Sequence, residues 1–524
     1  MREARRIAGR GLLAVILFAW ALVGGGRPAC AAEAKHIILM IADGTGYNSL
    51  EAASYYQYGG QGQQAYEQAG WVGYGCGTSA LSRAGKPSGV KEQDGEIEYD
   101  TTKAWDKGDE AVVDRNNDLR GAGAFKGYNF LKTTYADSAA AASALATGVK
   151  TYNMAIGYAN APEKTGTSLI RQSVAELGKM RGLSTGVVTS VPWSHATPAA
   201  IGGVHNVSRD HYFAIANEML DSRHLDVIMG AGHPAYDNDG APRQPGKKSD
   251  YDYVGGPESW ERLVEGKHAW GWALVQTKAE FEALMTGGTP AKVLGTAQVG
   301  STLQQGRRTR DWDGDGYVEE KDKRVSPAYG DPLVGTVPTL ATMTRGALNV
   351  LHRRGTGFFL MVEGGAVDWA SHANQGGRMI EEAMEFTEAV RVVSAWVETY
   401  SNWEETLVMV TADHETGLLW GPRSDKIAFD AIVNNGVGKM PGMRFNTGSH
   451  TNSLVPLWAR GVGAELFARR LVGYDPIRGA YVCNTEIPGV IKRVLPGAVG
   501  KGGDSVRPGR GRRVAVVFGL LFFL

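Results

Sequence analysis

Three apolar runs in this chain each end on a residue type that can bind a cation. Lys35-His36-Ile37-Ile38-Leu39-Met40-Ile41-Ala42 leads into Asp43-Gly44-Thr45-Gly46, Gly357-Phe358-Phe359-Leu360-Met361 leads through Val362 into Glu363, and Thr406 to Ala412 leads into Asp413-His414. Short continuous apolar runs bounded by turn residues read as strands buried on both faces. Helical patterns lie between them: Met379, Ile380, Ala383, Met384, Val390, Val393, Trp396 and Val397 fall on one side of a helix. This alternation predicts an α/β fold, a three-layer α/β/α sandwich with a mostly parallel central sheet and long surface insertions. Its site should lie beyond the carboxyl edge of the strands. Each position has a plainer reading by itself, because acids are common in turns and at helix caps. Those readings explain poorly why ligand-type residues recur at the same kind of place.

Two glycines follow Glu363 and let the chain turn; Asp368 and His372 come next, four apart, on one face of a helical turn. A turn residue and a surface ion pair would read the same way. After Asp43 a helix starts near Ser49, and Asn48 or Ser49 can cap it, which leaves Asp43 for other work. Thr133 to Ser138 precedes the Ala-rich run Ala139–Ala146, so Ser138 stands in the first turn of a helix, where free N–H groups and the dipole favour an anion. Asp137 or Ser138 acting as the cap alone is the alternative. No histidine is close in sequence and there is no G-x-S-x-G elbow, so a nucleophilic Ser138 would need a metal to activate it. Gly186 to Val191 reads as a strand, and after it His195 and Thr197 alternate, sharing a face in extended chain. Arg209 is a candidate phosphate ligand, since its planar fork suits that anion. Leu225–Met229 is a further strand, and Leu454–Ala459, which contains Pro456, reads as an edge strand after Gly448-Ser449-His450.

With 43% hydrophobic and 21% charged residues over 524 positions, the chain can bury an ordinary core; a formal charge of zero implies no broad basic face for nucleic acid. Residues 55–130 and 233–335 are polar with little periodicity and read as two long surface excursions. In the second, acids at Asp311, Asp313, Asp315, Glu319 and Asp322, with Gly316 at the turn, fit a twelve-residue calcium loop closed by Asp instead of Glu. A solvated acidic turn fits as well, and Pro327 argues against a good flanking helix.

Residues 1–32 read as a secretory signal: Arg2, Arg5, Arg6 and Arg10 precede the apolar run Gly11–Val23, and Ala29-Cys30-Ala31 offers a cleavage site. That predicts export to the periplasm or the cell exterior, with residues 33–499 as the folded domain. Residues 500–524 form a basic, Gly-rich and then apolar appendage suited to membrane or envelope association. Beyond the processing region Cys76 and Cys483 allow at most one disulfide and no zinc-finger spacing, so any metal must be held by His and carboxylate.

Asp43-Gly44-Thr45-Gly46, Asp137-Ser138-Ala139, Glu363 to His372, Thr411-Ala412-Asp413-His414 and Gly448-Ser449-His450 together resemble, in order and rough spacing, the motifs of the alkaline phosphatase family. The likeness covers nearly the whole mature chain. It implies a metal-dependent enzyme acting on small phosphate monoesters with two zinc ions and one magnesium ion. By motif position, Asp368, His372 and His450 would hold the first zinc, and Asp43, Asp413 and His414 the second, beside Ser138. Asp43, Thr197 and Glu363 would serve the magnesium, and Arg209 the phosphate. The resemblance implies a phosphoserine on Ser138, formed and hydrolysed in two in-line displacements. His195 stands where members carry Asp or His, and the His form would let zinc compete at the third position. Family members are often homodimers.

Two other readings compete. One stays in the superfamily, as a phosphodiesterase, a sulfatase or a phosphomutase; sulfatases need a modified Cys or Ser in a different motif, and diesterases often use Thr. The other is a non-catalytic calcium-dependent surface protein on an inactive hydrolase fold, drawing on Asp311–Asp322 and the C-terminal appendage. The intact set of ligand-type residues and Ser138 argues against it.

Overall fold

Strand β1 (His36–Ala42) is buried along its whole length. Ile37, Leu39 and Ile41 pack into one core and Ile38, Met40 and Ala42 into another. Both faces of the strand are therefore covered, which is why its sequence shows no polar alternation. The computed structural model describes residues 33–110, 124–160 and 172–497. In it β1 lies at the middle of an eleven-stranded sheet.

In chain order the other strands are β2 (Val72–Gly77), β3 (Ser184–Pro192), β4 (Val227–Ala231), β5 (Ala273–Val275), β6 (Val293–Thr296), β7 (Phe358–Gly364), β8 (Thr406–Thr411), β9 (Val455–Gly461), β10 (Gly473–Asp475) and β11 (Gly479–Cys483). Across the sheet the order is β10-β11-β2-β9-β8-β1-β7-β3-β4-β6-β5. Strands β9 and β10 run against their neighbours, and the rest run one way. Ile41 lies opposite both Glu363 of β7 and Thr411 of β8, so the ends of the three central strands reach the same level.

Six helices matter for the site: α1 (Tyr47–Tyr58), α2 (Ser138–Thr147), α3 (Ala196–Ile201), α4 (Leu340–His352), α5 (Ala366–His372) and α6 (Gly376–Tyr400). All ten residues of α2 are buried, and its Ala139, Ala142, Leu145 and Ala146 pack with the Ile37 face of the sheet. A helix apolar all round belongs in a core, and alanines let it approach closely. Helices α4 and α6 cover the other face through Leu348, Leu351, Phe386, Val390 and Val393. The result is the predicted three-layer α/β/α sandwich with a mostly parallel sheet.

Four expectations are corrected. The stretch 55–130 is not wholly a surface excursion, since it supplies β2, which lies between β9 and β11. Likewise 233–335 supplies β5 and β6 at one edge of the sheet. Glycines at 73, 75 and 77 hide β2 from pattern reading. They are there because neighbours close over the strand: a Cβ on Gly75 would lie 2.9 Å from Tyr481 Cβ. Strand β9 is interior, not an edge. Pro456 is tolerated because β8 ends at Thr411, opposite Leu457, so no ladder donor is missed there, and the Pro456 carbonyl accepts from Thr411 Oγ1 at 2.9 Å. Finally, α1 is capped by Gly46, without a side-chain bond, and not by Asn48 or Ser49. The signal segment 1–32 and the appendage 500–524 lie outside the described residues. Among the described residues no helix is long and apolar enough to cross a membrane.

His36, at the start of β1 and far from the strand ends that carry the acids, is buried with neither ring nitrogen hydrogen-bonded. Its ring packs on Phe358 (4.4 Å between centroids) and Trp396 (5.2 Å). Burial, helped by Lys35 and His352, pushes its pKa down to about 3. The unfolded chain therefore binds a proton here between about pH 6.5 and pH 3 that the folded chain refuses, and stability falls as pH drops through that window. The loss should reach about 2 kcal/mol by pH 5. In His36→Phe, which keeps an aromatic ring in the same cage, urea unfolding between pH 7 and pH 5 should lose that much less stability than the parent. Parallel pH profiles for the two would refute the assignment.

Candidate active site

The carboxyl edge of the central strands delivers Asp43 after β1, Glu363 as the last residue but one of β7, and Asp413 and His414 after β8. All four are buried. Helix α5 adds Asp368 and His372 from one face, and His450 arrives from a short bridge that pairs with Glu415–Thr416. Three residues after β3, His195 is the N-cap of α3, whose first turn holds Thr197. The predicted extended arrangement of His195 and Thr197 is thus replaced by a helix start, which Pro198 in the first turn permits.

Ser138 opens α2. Asp137 is the cap: its Oδ1 accepts from Ala140 N at 2.9 Å, which leaves the Ser138 hydroxyl free of that task. Ser138 Oγ lies 3.0 Å from His414 Nε2. The other Asp137 oxygen pairs with Arg209 at 3.4 Å, and the second guanidinium nitrogen of Arg209 is 3.4 Å from His195 Nδ1.

The donor atoms fall into three groups. In the first, His372 Nδ1 donates to Gly448 O (2.8 Å) and His450 Nδ1 to Ala136 O (3.1 Å). These bonds turn both Nε2 lone pairs inward, 2.9 Å apart, with Asp368 oxygens at 3.4 and 3.6 Å. Two lone pairs facing one another beside a carboxylate repel unless a cation accepts both. In the second group His414 Nε2 is 3.1 Å from Asp413 Oδ2 and 3.6 Å from Asp43 Oδ1. Donor atoms of Asp43, Asp368 and His414 also lie within 4.8 Å of one another, so Asp368 reaches both groups. The third is all oxygen: Asp43, Glu363 and Thr197. Asp43 Oδ1, Asp413 Oδ2, Glu363 Oε1 and Thr197 Oγ1 are buried without a hydrogen-bond partner. Buried polar atoms are rarely left so, and four converging from three strand ends and a helix start fit bound cations. Nitrogen with carboxylate suits zinc, and oxygen alone suits magnesium.

The electrostatics agree. Burial first, then Asp413, Asp368 and Glu363, pushes Asp43 well above the usual carboxylate range. Burial likewise brings Glu363 and Asp413 to about 7. Asp368 moves the other way: burial would raise it, but His372, His450 and the Thr416 hydroxyl outweigh that and hold it low. Burial, with its imidazole neighbours, keeps His414 far below the usual range, and burial takes His450 to about 4. His414 and His450 are therefore neutral at ordinary pH.

All of Asp43, Ser138, His195, Thr197, Arg209, Glu363, Asp368, His372, Asp413, His414 and His450 thus meet around one centre, beside a cavity of about 540 Å³. The acidic loop is different. Asp311, Asp313 and Asp315 lie close together, but Lys321 Nζ sits among them, bonded to Asp315 and 3.2 Å from Asp313. Asp322 does not join them. Both its oxygens accept backbone N–H groups, from Trp312 (2.8 Å), Asp313 (3.2 Å) and Glu319 (2.8 Å), as part of a helix-start box. Asp322, the closing residue of the predicted loop, thus binds backbone N–H groups, and the Lys321 ammonium pairs with Asp313 and Asp315.

Pattern reading passed over the residues that orient the ligands. Thr416 Oγ1 donates to Asp368 Oδ1 at 2.6 Å, and Thr189 donates to Glu363 Oε2. Thr189 lies opposite Glu363 in the β3–β7 register, a relation visible once two strands are paired but not before.

A family model described as alkaline phosphatase matches residues 106–435, more than half of the chain. The chain belongs to the alkaline phosphatase family. It is 33% identical to alkaline phosphatase 4 of Bacillus subtilis over 287 residues, 54% of this chain and 49% of the relative. It is 29% identical to alkaline phosphatase of Escherichia fergusonii over 405 residues, 73% of this chain and 70% of that one. The match thus spans about half the length of the Bacillus relative. Among solved structures, alkaline phosphatase from the Antarctic bacterium TAB5 shares the fold, with TM-score 0.54, 22% identity and coverage of 88% of this chain and 98% of that one. A mutant of the TAB5 enzyme was solved with Mg bound.

Gly44 supplies a test of the centre. It adopts φ +69°, and a Cβ there would lie 2.6 Å from both Cα and Oδ1 of Asp368. Gly44→Ala should displace Asp368, and metal content per chain by elemental analysis should fall below half of the parent's while far-UV circular dichroism stays native. Full metal content in this variant would contradict the shared role of Asp368.

Proposed function

We propose that this chain is an exported, metal-dependent phosphomonoesterase that works through a phosphoserine on Ser138. The observation that carries the reading is the setting of Ser138. Its hydroxyl stands at the N-terminus of a fully buried helix, 3.0 Å from His414 Nε2. It lines one cavity with Arg209, Asp368 and His450. Asp368, His372 and His450 would hold one zinc, Asp43, Asp413 and His414 a second, and Asp43, Thr197 and Glu363 a magnesium. Bound there, the ions supply Lewis acidity that lowers the pKa of a hydroxyl and neutralises charge on phosphoryl and leaving oxygens.

The residues of the chain do the rest. Arg209 has five N–H donors, of which Asp137 and His195 engage one each, so several remain for two non-bridging phosphoryl oxygens. The N-terminus of α2 favours the same anion. Ser138 Oγ, its proton lost, attacks phosphorus while the bond to the ester oxygen breaks on the far side, and the alcohol departs. Water then attacks the phosphoserine from the side the alcohol left, Ser138 is regenerated as a hydroxyl, and phosphate is released. Two in-line displacements retain configuration at phosphorus. His195, with its pKa driven by burial to about 3, presents a neutral imidazole to Arg209 and takes no charge from the phosphate site.

The test is hydrolysis of 4-nitrophenyl phosphate against bis(4-nitrophenyl) phosphate by the metal-loaded chain. The monoester should be the better substrate, activity should vanish with chelator, and Ser138→Ala should lose at least about a thousandfold in kcat. Acid quenching with labelled monoester should leave phosphate on Ser138 of the parent. A Ser138→Ala variant with parental activity, or a preference for the diester, would sink this reading.

A further inference from the structure

The cavity before Ser138 and Arg209, about 540 Å³, is larger than a phosphoryl group needs. Besides the groups already given roles, Tyr135, Gln305, Trp369 and Ser449 line it, and none of these four carries a charge. Gln305 is almost wholly buried, and its amide donates to Gln375 Oε1 at 2.9 Å. Tyr135 and Trp369 are half-buried, so each shows part of its surface to the cavity. Both rings are braced by the site itself. Tyr135 stands edge-on to His450, with centroids 5.5 Å apart at 77°, and Trp369 lies 5.5 Å from His195 at 57°. His450 belongs to the group around Asp368, while His195 touches Arg209. One aromatic residue therefore accompanies the ligand cluster and the other the phosphate-binding arginine.

We propose that Tyr135 and Trp369 form an aromatic clamp for the alcohol portion of the substrate, so that the site prefers phosphomonoesters whose alcohol carries a planar aromatic ring. This rests on the monoesterase reading above and names its substrate class. A sugar alcohol brings several hydroxyls that lose water on entry and need polar partners. Here, outside the ligand-type residues and Arg209, the lining offers a sugar only the Ser449 and Tyr135 hydroxyls, the Trp369 indole N–H and the already bonded Gln305 amide. Away from the reacting phosphoryl group a polyphosphate would need cationic side chains beyond Arg209, and the lining supplies none. An aromatic ring needs neither, and gains from stacked or edge-on contact with two rings already held in place.

The clamp is tested by binding, with zinc and magnesium supplied to the full chain. Dissociation constants of benzylphosphonate and cyclohexylmethylphosphonate are compared by calorimetry, since the two share ring size and anion and differ in aromaticity. Benzylphosphonate should bind more tightly by about three- to tenfold. The ratio should fall below about twofold in Tyr135→Ala and Trp369→Ala and persist in Tyr135→Phe, while the constant for inorganic phosphate moves by less than about twofold. Equal binding of the two phosphonates by the parent, or a preference that survives both alanine variants, would overturn the clamp. An aromatic preference in binding by a chain that hydrolyses no monoester would leave the clamp standing and remove the monoesterase reading. Ester hydrolysis without the preference would do the reverse.

Discussion

Four buried carboxylates, those of Asp43, Glu363, Asp368 and Asp413, are brought into one centre, and a protein interior does not tolerate that much uncompensated charge. Either protons or cations must balance them. Three of the four are pushed toward the protonated form by burial. Asp368 moves the other way, because His372, His450 and the Thr416 hydroxyl outweigh its burial. Much else in this region follows from that constraint. The histidines are turned by backbone carbonyls so that lone pairs, not protons, face inward. Oxygens of Asp43, Asp413, Glu363 and Thr197 are left buried without hydrogen-bond partners, an arrangement that fits bound cations.

The scaffold makes this cluster unavoidable. Adjacent parallel strands in register set Glu363 level with Ile41 and Thr411, with Asp43 and Asp413 each two residues further on, and turns directly after the strands keep them there. Asp137 illustrates how few residues do several jobs. One carboxylate oxygen caps α2 and the other holds Arg209, so a single side chain frees the Ser138 hydroxyl and aims the guanidinium across the same cavity. The Ala-rich composition of α2 lets the helix lie wholly buried, which places its N-terminus, and Ser138 with it, inside the centre instead of on the surface.

What could be read in the sequence was whatever depends on one short segment. Long apolar runs such as His36–Ala42 announce buried strands, and Asp or Glu at their ends announces a ligand edge. The helix over Gly376–Tyr400 shows itself through its 3.6-residue period. Segments whose form depends on neighbours were not legible. The Val-Gly-Tyr-Gly-Cys-Gly of β2 looks like loop, because the glycines that admit Tyr481 and Leu454 carry no strand signal. Pro456 suggested an edge, and only the early end of β8 explains its place inside the sheet. Thr189 and Thr416 are ordinary threonines until pairing sets them against Glu363 and Asp368. The Asp311–Asp322 spacing fitted a calcium loop, yet Lys321 and the helix-start role of Asp322 are facts of the folded loop.

By itself, then, the sequence determined the layered α/β architecture, the residue types presented at the carboxyl edge and the family to which the motifs belong. Those depend on local periodicity and chemical type, which survive in one dimension. The tertiary structure decided which donor atoms face one another, which hydroxyls aim them, which acids bind backbone N–H groups and which aromatic rings wall the cavity. These are distances of a few ångströms between residues hundreds of positions apart, and no pattern along the chain carries them until strand register and helix packing bring the segments together.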